Sequence, residues 1–543
     1  MDPKVLPAPP PRVAAVSQKV PAYLPLLLSL PALIPLAWSW FAARAQGLLF
    51  TGFVQYDVPY YLANARQHFA SGWGFTFSNP YAPYGSPAIY FQPQTFLLAV
   101  LQHVGLGPAL ALNLFGLAAM AFAATVAARL YEEVVGWKTT AHKLGFLCFF
   151  WGGGALALAG VAVGLFTGMP LAPASVQFDA GDGWWMFNFG RNLVYPTEAY
   201  YHGVFLLTLL MLIQKRLGRA LALTALLAVS HPFTGLSLGL IVMAYSLLEA
   251  IVNRSAAWWR LMAGATAVVA SHVAYYLFFL SRFADHRALR EQWELDWPYL
   301  AWTLVPALYL VGFLAFLRFS RWEGMKAALA DARMRLFVVC FVVIVGLSQH
   351  DVIFKPVQPL HFAHGYDWIA LFFLASPVLI RLLDRLLAIP RPVLRFAATG
   401  SVLLVMMSDN LLWFASFRDP GVQRYSITLT PDQNDVLRWL PRNTVEGAEV
   451  VSEDDWIGYL VPTYTAMRSR FGHTHNTPHA ADRKREVEQV FQGGAAIQAS
   501  RRVFYIPLRK TRWTAPAGAR KVYENGSYVV WLREPGGATI SSR

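Results

Sequence analysis

The chain has 543 residues, a net charge of +14 with histidine neutral, 56% hydrophobic residues and only 14% charged ones, against roughly a quarter charged in ordinary soluble domains. With a mean hydropathy of +0.39 and repeated apolar runs of about 20 residues, the length a helix needs to cross a hydrocarbon core, the composition excludes an ordinary soluble enzyme. The positive balance does not point to nucleic acid, because the Lys and Arg fall between the apolar runs, as in cytoplasmic loops.

Residues 1–20 are Pro-rich and basic and read as a disordered cytoplasmic tail. Apolar runs follow near 22–44, 107–131, 143–166, 201–214, 218–230, 234–252, 258–280, 298–317, 335–348, 366–384 and 394–415. They predict a polytopic α-helical membrane domain of about eleven transmembrane helices over 21–417. With the N-terminus inside, Arg129, Lys138, Lys143, Lys215, Arg216, Arg254, Arg321, Lys326, Arg335, Arg385 and Arg391 collect on the cytoplasmic side of the inner membrane. The run 88–105 would invert everything after it if it crossed, so it reads as an interfacial or half-inserted helix. Loops 45–106, 167–200, 281–297 and 349–365 then fall outside. Cys148 and Cys340 lie inside predicted spans and give neither a disulfide framework nor zinc spacing.

The first outer loop opens with Asp57, ahead of Val58-Pro59 and an amphipathic stretch. A carboxylate there can cap a helix, and at the membrane boundary it can also take a proton from a hydroxyl or hold a metal. Tyr60 and Tyr61 follow as candidate substrate contacts, and 79–93 is dense in Pro and Tyr. The second loop carries Asp179, Asp182, Arg191 and, at a helix entrance, Glu198 and His202. The last two stand four apart and share a helix face, the spacing of an ion pair. Asp57, Asp179 and Asp182 are the candidate ligands for a divalent cation, although no spacing matches a calcium loop or a helical zinc pair. His231 sits in the tight turn Ser230-His231-Pro232. In the fourth loop Lys355, His361 and His364 form a cationic group able to clamp a phosphate.

After 417 the apolar runs shorten and charge rises. Thr430 and Gln433 form a capping box that opens a helix over 431–440. Strands are expected at 447–452, 502–508 and 520–532, the last folded as a hairpin at Glu524-Asn525-Gly526-Ser527. Residues 418–543 therefore read as an extracytoplasmic α/β domain. Its His-rich loop, 472–479, precedes Arg483-Lys484-Arg485 and reads as a contact surface over the membrane cavity, with a metal site as the alternative.

An early acid in a long outer loop (Asp57), juxtamembrane helices with a Pro-Tyr-rich segment, a second span ending in Ala128-Arg129-Leu130 and a trailing outer domain together resemble the GT-C superfamily of membrane glycosyltransferases. The resemblance implies transfer of a sugar from a polyprenyl-phosphate carrier to a lipid, glycan or protein acceptor on the outer face, usually with inversion. Asp57 matches the family's first-loop acid by position and would be the general base or the residue that orients the acceptor. Arg191, His202, Lys355, His361 and His364 would meet the donor phosphate, with Tyr60, Tyr61, Glu198 and His231 lining the site. Two departures stand out: Asp57 is followed by Val58-Pro59 rather than a second acid, and the WWDYG-type signature is absent, which argues against a glycosylation sequon as acceptor. No cofactor is strongly implied, and a divalent cation is the one candidate. A transporter or flippase of lipid-linked sugars would use the same charges, as would a polymerase or ligase acting on diphosphate-linked oligosaccharides. Charges gathered at one face, with no internal repeat, favour an enzyme over a transporter.

Overall fold

The computed structural model describes residues 20–70, 74–177, 188–292, 311–353, 357–417, 426–443, 447–493, 497 and 500–535. The N-terminal tail, Asp179, Asp182, Lys355 and most of the expected span 298–317 lie outside the described residues. In chain order, α1 (Leu24–Ala45) leads to β1 (Leu49–Phe50), α2 (Val58–Gln67), the small ladder of β2 (Thr76–Phe77) with β3 (Tyr90–Phe91), and α3 (Pro93–His103). Then come α4 (Pro108–Val134), α5 (Thr140–Trp151), α6 (Leu156–Thr167), α7 (Pro196–Ile213), α8 (Leu217–Ser230), α9 (Pro232–Asn253), α10 (Ala256–Arg282) and the surface helix α11 (Ala284–Gln292). α12 (Ala332–Ser348), α13 (Tyr366–Leu387) and α14 (Pro392–Ser416) complete the bundle.

Among the described residues five helices, α1, α4, α9, α10 and α14, are long and apolar enough to cross a membrane, and the bent pair α5–α6 makes six. The stretches read as spans 201–214, 218–230, 335–348 and 366–384 fall in α7, α8, α12 and α13, packed into the bundle core. At 11 residues, α3 is about 16 Å long, half the thickness of a hydrocarbon core. By itself it is too short to cross. Instead it lies on α2, where Gln102 Nε2 donates to Leu62 O at 3.3 Å.

One expected span needs correction. The run 143–166 is not a continuous helix: it breaks at Gly152-Gly153-Gly154, and its halves meet at 71°. Three successive glycines disfavour helix by about 1 kcal/mol each, and the freed groups find partners on α14. Asp409 Oδ1 accepts from Ala157 N at 2.9 Å, and Asn410 Nδ2 donates to Trp151 O at 2.7 Å.

The C-terminal domain begins with β4 (Thr428–Leu429) and α15 (Pro431–Arg442), whose capping box is complete: Thr430 Oγ1 accepts from Gln433 N at 3.2 Å, and Gln433 Oε1 from Thr430 N at 2.8 Å. β5 (Glu449–Ser452), α16 (Asp455–Tyr464), β6 (Arg468–Ser469), α17 (Ala480–Phe491), β7 (Val503–Ile506), β8 (Ala519–Glu524) and β9 (Val529–Arg533) follow. The sheet runs β6-β5-β7-β9-β8, parallel from β6 to β7 and antiparallel beyond, with the β8–β9 hairpin where the Asn-Gly turn placed it.

This domain does not stand apart from the first loop. Val450, Phe504, Leu437 and Leu460 share one apolar core with Phe53, Val58, Leu62, Tyr81 and Leu98, and β1 pairs with β4 through Leu49↔Leu429. The first loop and the C-terminal domain therefore lie on the same side of the bundle.

Candidate active site

Pro59 near the start of α2 has the fixed φ that suits a first helical turn, and Asp57 precedes that turn. The capping role expected for its carboxylate is not what the structure shows: Asp57 is already in the α region and its side chain makes no cap bond. The carboxylate turns instead to the C-terminal domain, where its Oδ1 lies 2.8 Å from His473 Nε2. The Asp57 side chain is 45% exposed while His473 is 0% exposed, so one oxygen is anchored inside the protein and the group opens outward.

The loop after β6 carries His473 and is strapped to the first loop by many bonds. Asn79 Nδ2 donates to Asn476 O at 2.8 Å, and Thr474 N donates to Tyr56 Oη at 3.2 Å. Arg468 donates to Ala82 O, Pro83 O and Ser78 Oγ, and Arg483, the first residue of the basic run, donates to Tyr81 O at 2.8 Å. Rings of Tyr56, Tyr60 and Tyr459 sit 4.8, 5.4 and 5.1 Å from the His473 ring. Burial pushes the Tyr60 phenol up to about 12 and Tyr61 higher still, so both remain neutral hydroxyls. Burial beside His473 lowers His475.

A second group stands behind Tyr61, whose phenol feels the charges of both Asp57 and Glu198. Glu198, on the first turn of α7, is 3.1 Å from His364 Nδ1 and 3.6 Å from His202 Nδ1. The four-residue spacing thus does place Glu198 and His202 together, although His364 comes closer. His202 also reaches two carbonyl oxygens, Glu198 O and His364 O, each at 2.8 Å. His231 caps α9, its Nδ1 accepting from Thr234 N at 3.2 Å, and stacks on Tyr201 at 4.6 Å. His361 is 5.2 Å from His364 between ring centres, and burial among its histidine neighbours drives it well below the usual range. Glu198 is therefore a buried carboxylate ringed by histidines.

Arg191 lies elsewhere, its guanidinium over the Trp413 ring at 4.4 Å near the α5–α6 break. Among the described residues no three His, Cys, Asp or Glu side chains converge as metal ligands. The structure thus sets Tyr60 beside His473, the partner of Asp57, and places Tyr61 near both Asp57 and Glu198. It adds His473, which the sequence marked only as part of a His-rich loop and which lies 416 residues from its partner.

No family model matches the chain, and no curated protein matches it. Among solved structures, ArnT from Cupriavidus metallidurans in the apo state aligns at 13% identity over 93% of this chain and 97% of that one, with a TM-score of 0.47. The same protein bound to undecaprenyl phosphate aligns at 12% identity over 93% and 98%, with a TM-score of 0.49.

Proposed function

We propose that the chain is an integral membrane glycosyltransferase of the GT-C type. More particularly, it moves a sugar from a polyprenyl-phosphate carrier to an acceptor hydroxyl on the outer face of the inner membrane. The observation that carries this reading is Asp57: a partly exposed carboxylate, anchored by a buried histidine, where an outer loop, a soluble domain and the membrane helices meet. Ionisable groups at such a boundary are costly unless they serve a polar site.

In this reading Asp57 takes the proton of the acceptor hydroxyl as its oxygen attacks the anomeric carbon. The bond from that carbon to the phosphate oxygen breaks, its electron pair leaves with the polyprenyl phosphate, and the configuration inverts. Phosphate departure needs nearby positive charge more than a proton. We assign that charge to Lys355, with the His361–His364 segment, held in place by Glu198 and His202, as a hydrogen-bonding wall of the phosphate site and Tyr60 and Tyr61 as neutral donors beside the sugar. The N-terminus is cytoplasmic and the C-terminal domain extracytoplasmic.

The test is Asp57→Asn in full-length protein reconstituted in nanodiscs and given radiolabelled polyprenyl-phosphate sugars. Removing a positioned base costs about 10²- to 10⁴-fold, so transfer should fall at least that far. Transfer at the wild-type rate would refute the assignment.

A further inference from the structure

We infer that His473 is a positioning residue for Asp57, its Nε2–H holding one carboxylate oxygen so that the other is aimed at the acceptor. The inference rests on Asp57 being the base. Its evidence is the pattern of bonds around the ring. The backbone N–H of His475 points at His473 Nδ1 over 3.1 Å. A backbone N–H only donates, so Nδ1 must offer its lone pair and the ring proton must sit on Nε2. That proton lies on the 2.8 Å line to Asp57 Oδ1.

His473 has no solvent exposure and is a donor to Asp57 rather than a second base. The groups that face it are Tyr56, Asp57 and Tyr60 from the start of the first loop, Tyr81 further along it, Tyr459 from α16, and His475 and Asn476 from its own loop, the Asn476 Nδ2 lying 3.2 Å from Nδ1 and 3.3 Å from Nε2. Of these only Asp57 is a carboxylate, and the aromatic rings fix the plane in which the Nε2–H is offered to it. Among the described residues the other Asp57 oxygen makes no hydrogen bond and is left for the acceptor. The C-terminal domain thus supplies part of the active site instead of merely covering it.

Two measurements on the full-length protein in nanodiscs test this. The first compares the transfer of radiolabelled polyprenyl-phosphate sugars by His473→Phe, which keeps a packed ring without the donor, and His473→Gln, which keeps an N–H at similar reach. Loss of a hydrogen bond to a charged group lowers kcat for His473→Phe by roughly 10- to 100-fold. KM should stay nearly unchanged, and His473→Gln should recover most of the rate.

The second is solid-state NMR of protein with 15N-labelled histidine, the His473 signal being the one lost in His473→Gln. It should report the Nε2–H tautomer at the pH of the transfer assay. An Nδ1–H signal there, or a wild-type kcat in His473→Phe while Asp57→Asn is inactive, would overturn the inference alone. Wild-type transfer by Asp57→Asn would overturn the base assignment and the inference together.

Discussion

Replacing Arg468 by Met should loosen the first loop from the C-terminal domain while leaving the membrane bundle intact. Arg468 is 8% exposed. It donates to Ala82 O at 3.0 Å, Pro83 O at 2.6 Å and Ser78 Oγ at 2.6 Å, and its guanidinium lies 4.9 Å from the Tyr84 ring centre. Met keeps the apolar stem and removes every donor. Ser78 can still donate to Gln67 Oε1 at 3.3 Å, and Pro83 O keeps Ser86 N at 3.2 Å, so the loss falls on Ala82 O. A buried acceptor left without a donor costs about 1–3 kcal/mol, and no longer burying a guanidinium returns part of that. A net loss of about 1 kcal/mol raises local opening roughly 5-fold. Hydrogen exchange over residues 76–86, compared with a bundle segment such as α13, measures it. Unchanged exchange over 76–86, or faster exchange confined to the bundle, would show that Arg468 does not fasten this junction.

The remaining predictions concern packing, charge and pH. A Cβ at Gly472 would come within 2.6 Å of Tyr81 Cε1 and 3.0 Å of Gly458 O, so Gly472→Ala should displace the His473 loop and reduce transfer with little change in global unfolding; wild-type transfer would count against the loop's role. The pair Arg335 Nε–Glu249 Oε1 is 2.7 Å long with side chains only 10% and 3% exposed. Removing one partner of such a buried pair costs about 3–5 kcal/mol, so Glu249→Ala should lower the thermal midpoint sharply, and an unaltered midpoint would contradict the reading. Burial pushes His286 down to about 4, with Arg290 adding to the effect. An unfolded histidine titrates near 6.5, so the unfolded chain binds more protons between those values. The stability is therefore complete above about pH 6.5 and lost as pH falls toward 4. The difference in unfolding midpoint between wild type and His286→Gln should shrink from pH 7.5 to 5, and a constant difference would refute it.

Much of the architecture was legible because it depends on local signals. Apolar run length marked the long helices, the Thr430–Gln433 box marked the start of α15, and Asn525-Gly526 marked the β8–β9 hairpin. The α5–α6 break was missed because composition alone hides it: the Gly152–Gly154 run is still apolar, and what stabilises the bend is Asp409 and Asn410 from far along the chain. The site was half legible. Asp57 stood out by its position ahead of a Pro-initiated helix, and Glu198 and His202 by their four-residue spacing. The pairing of Asp57 with His473 had no local signal, since it exists only after the first loop and the C-terminal domain have built a common core. The histidines near Glu198 looked cationic in sequence; the carboxylate and carbonyls that engage them become neighbours only through folding.

The central claim is that chemistry occurs at the Asp57 carboxylate. The most direct measurement is a cryo-EM map of the full-length Asp57→Asn protein in nanodiscs with a bound polyprenyl-phosphate sugar. The account predicts the sugar ring beside residue 57, its anomeric carbon one acceptor hydroxyl away from that side chain, about 3–3.5 Å to the attacking oxygen, and the lipid tail entering from the membrane helices. A donor head group seated away from residue 57, or on the opposite face of the bundle from the C-terminal domain, would contradict it.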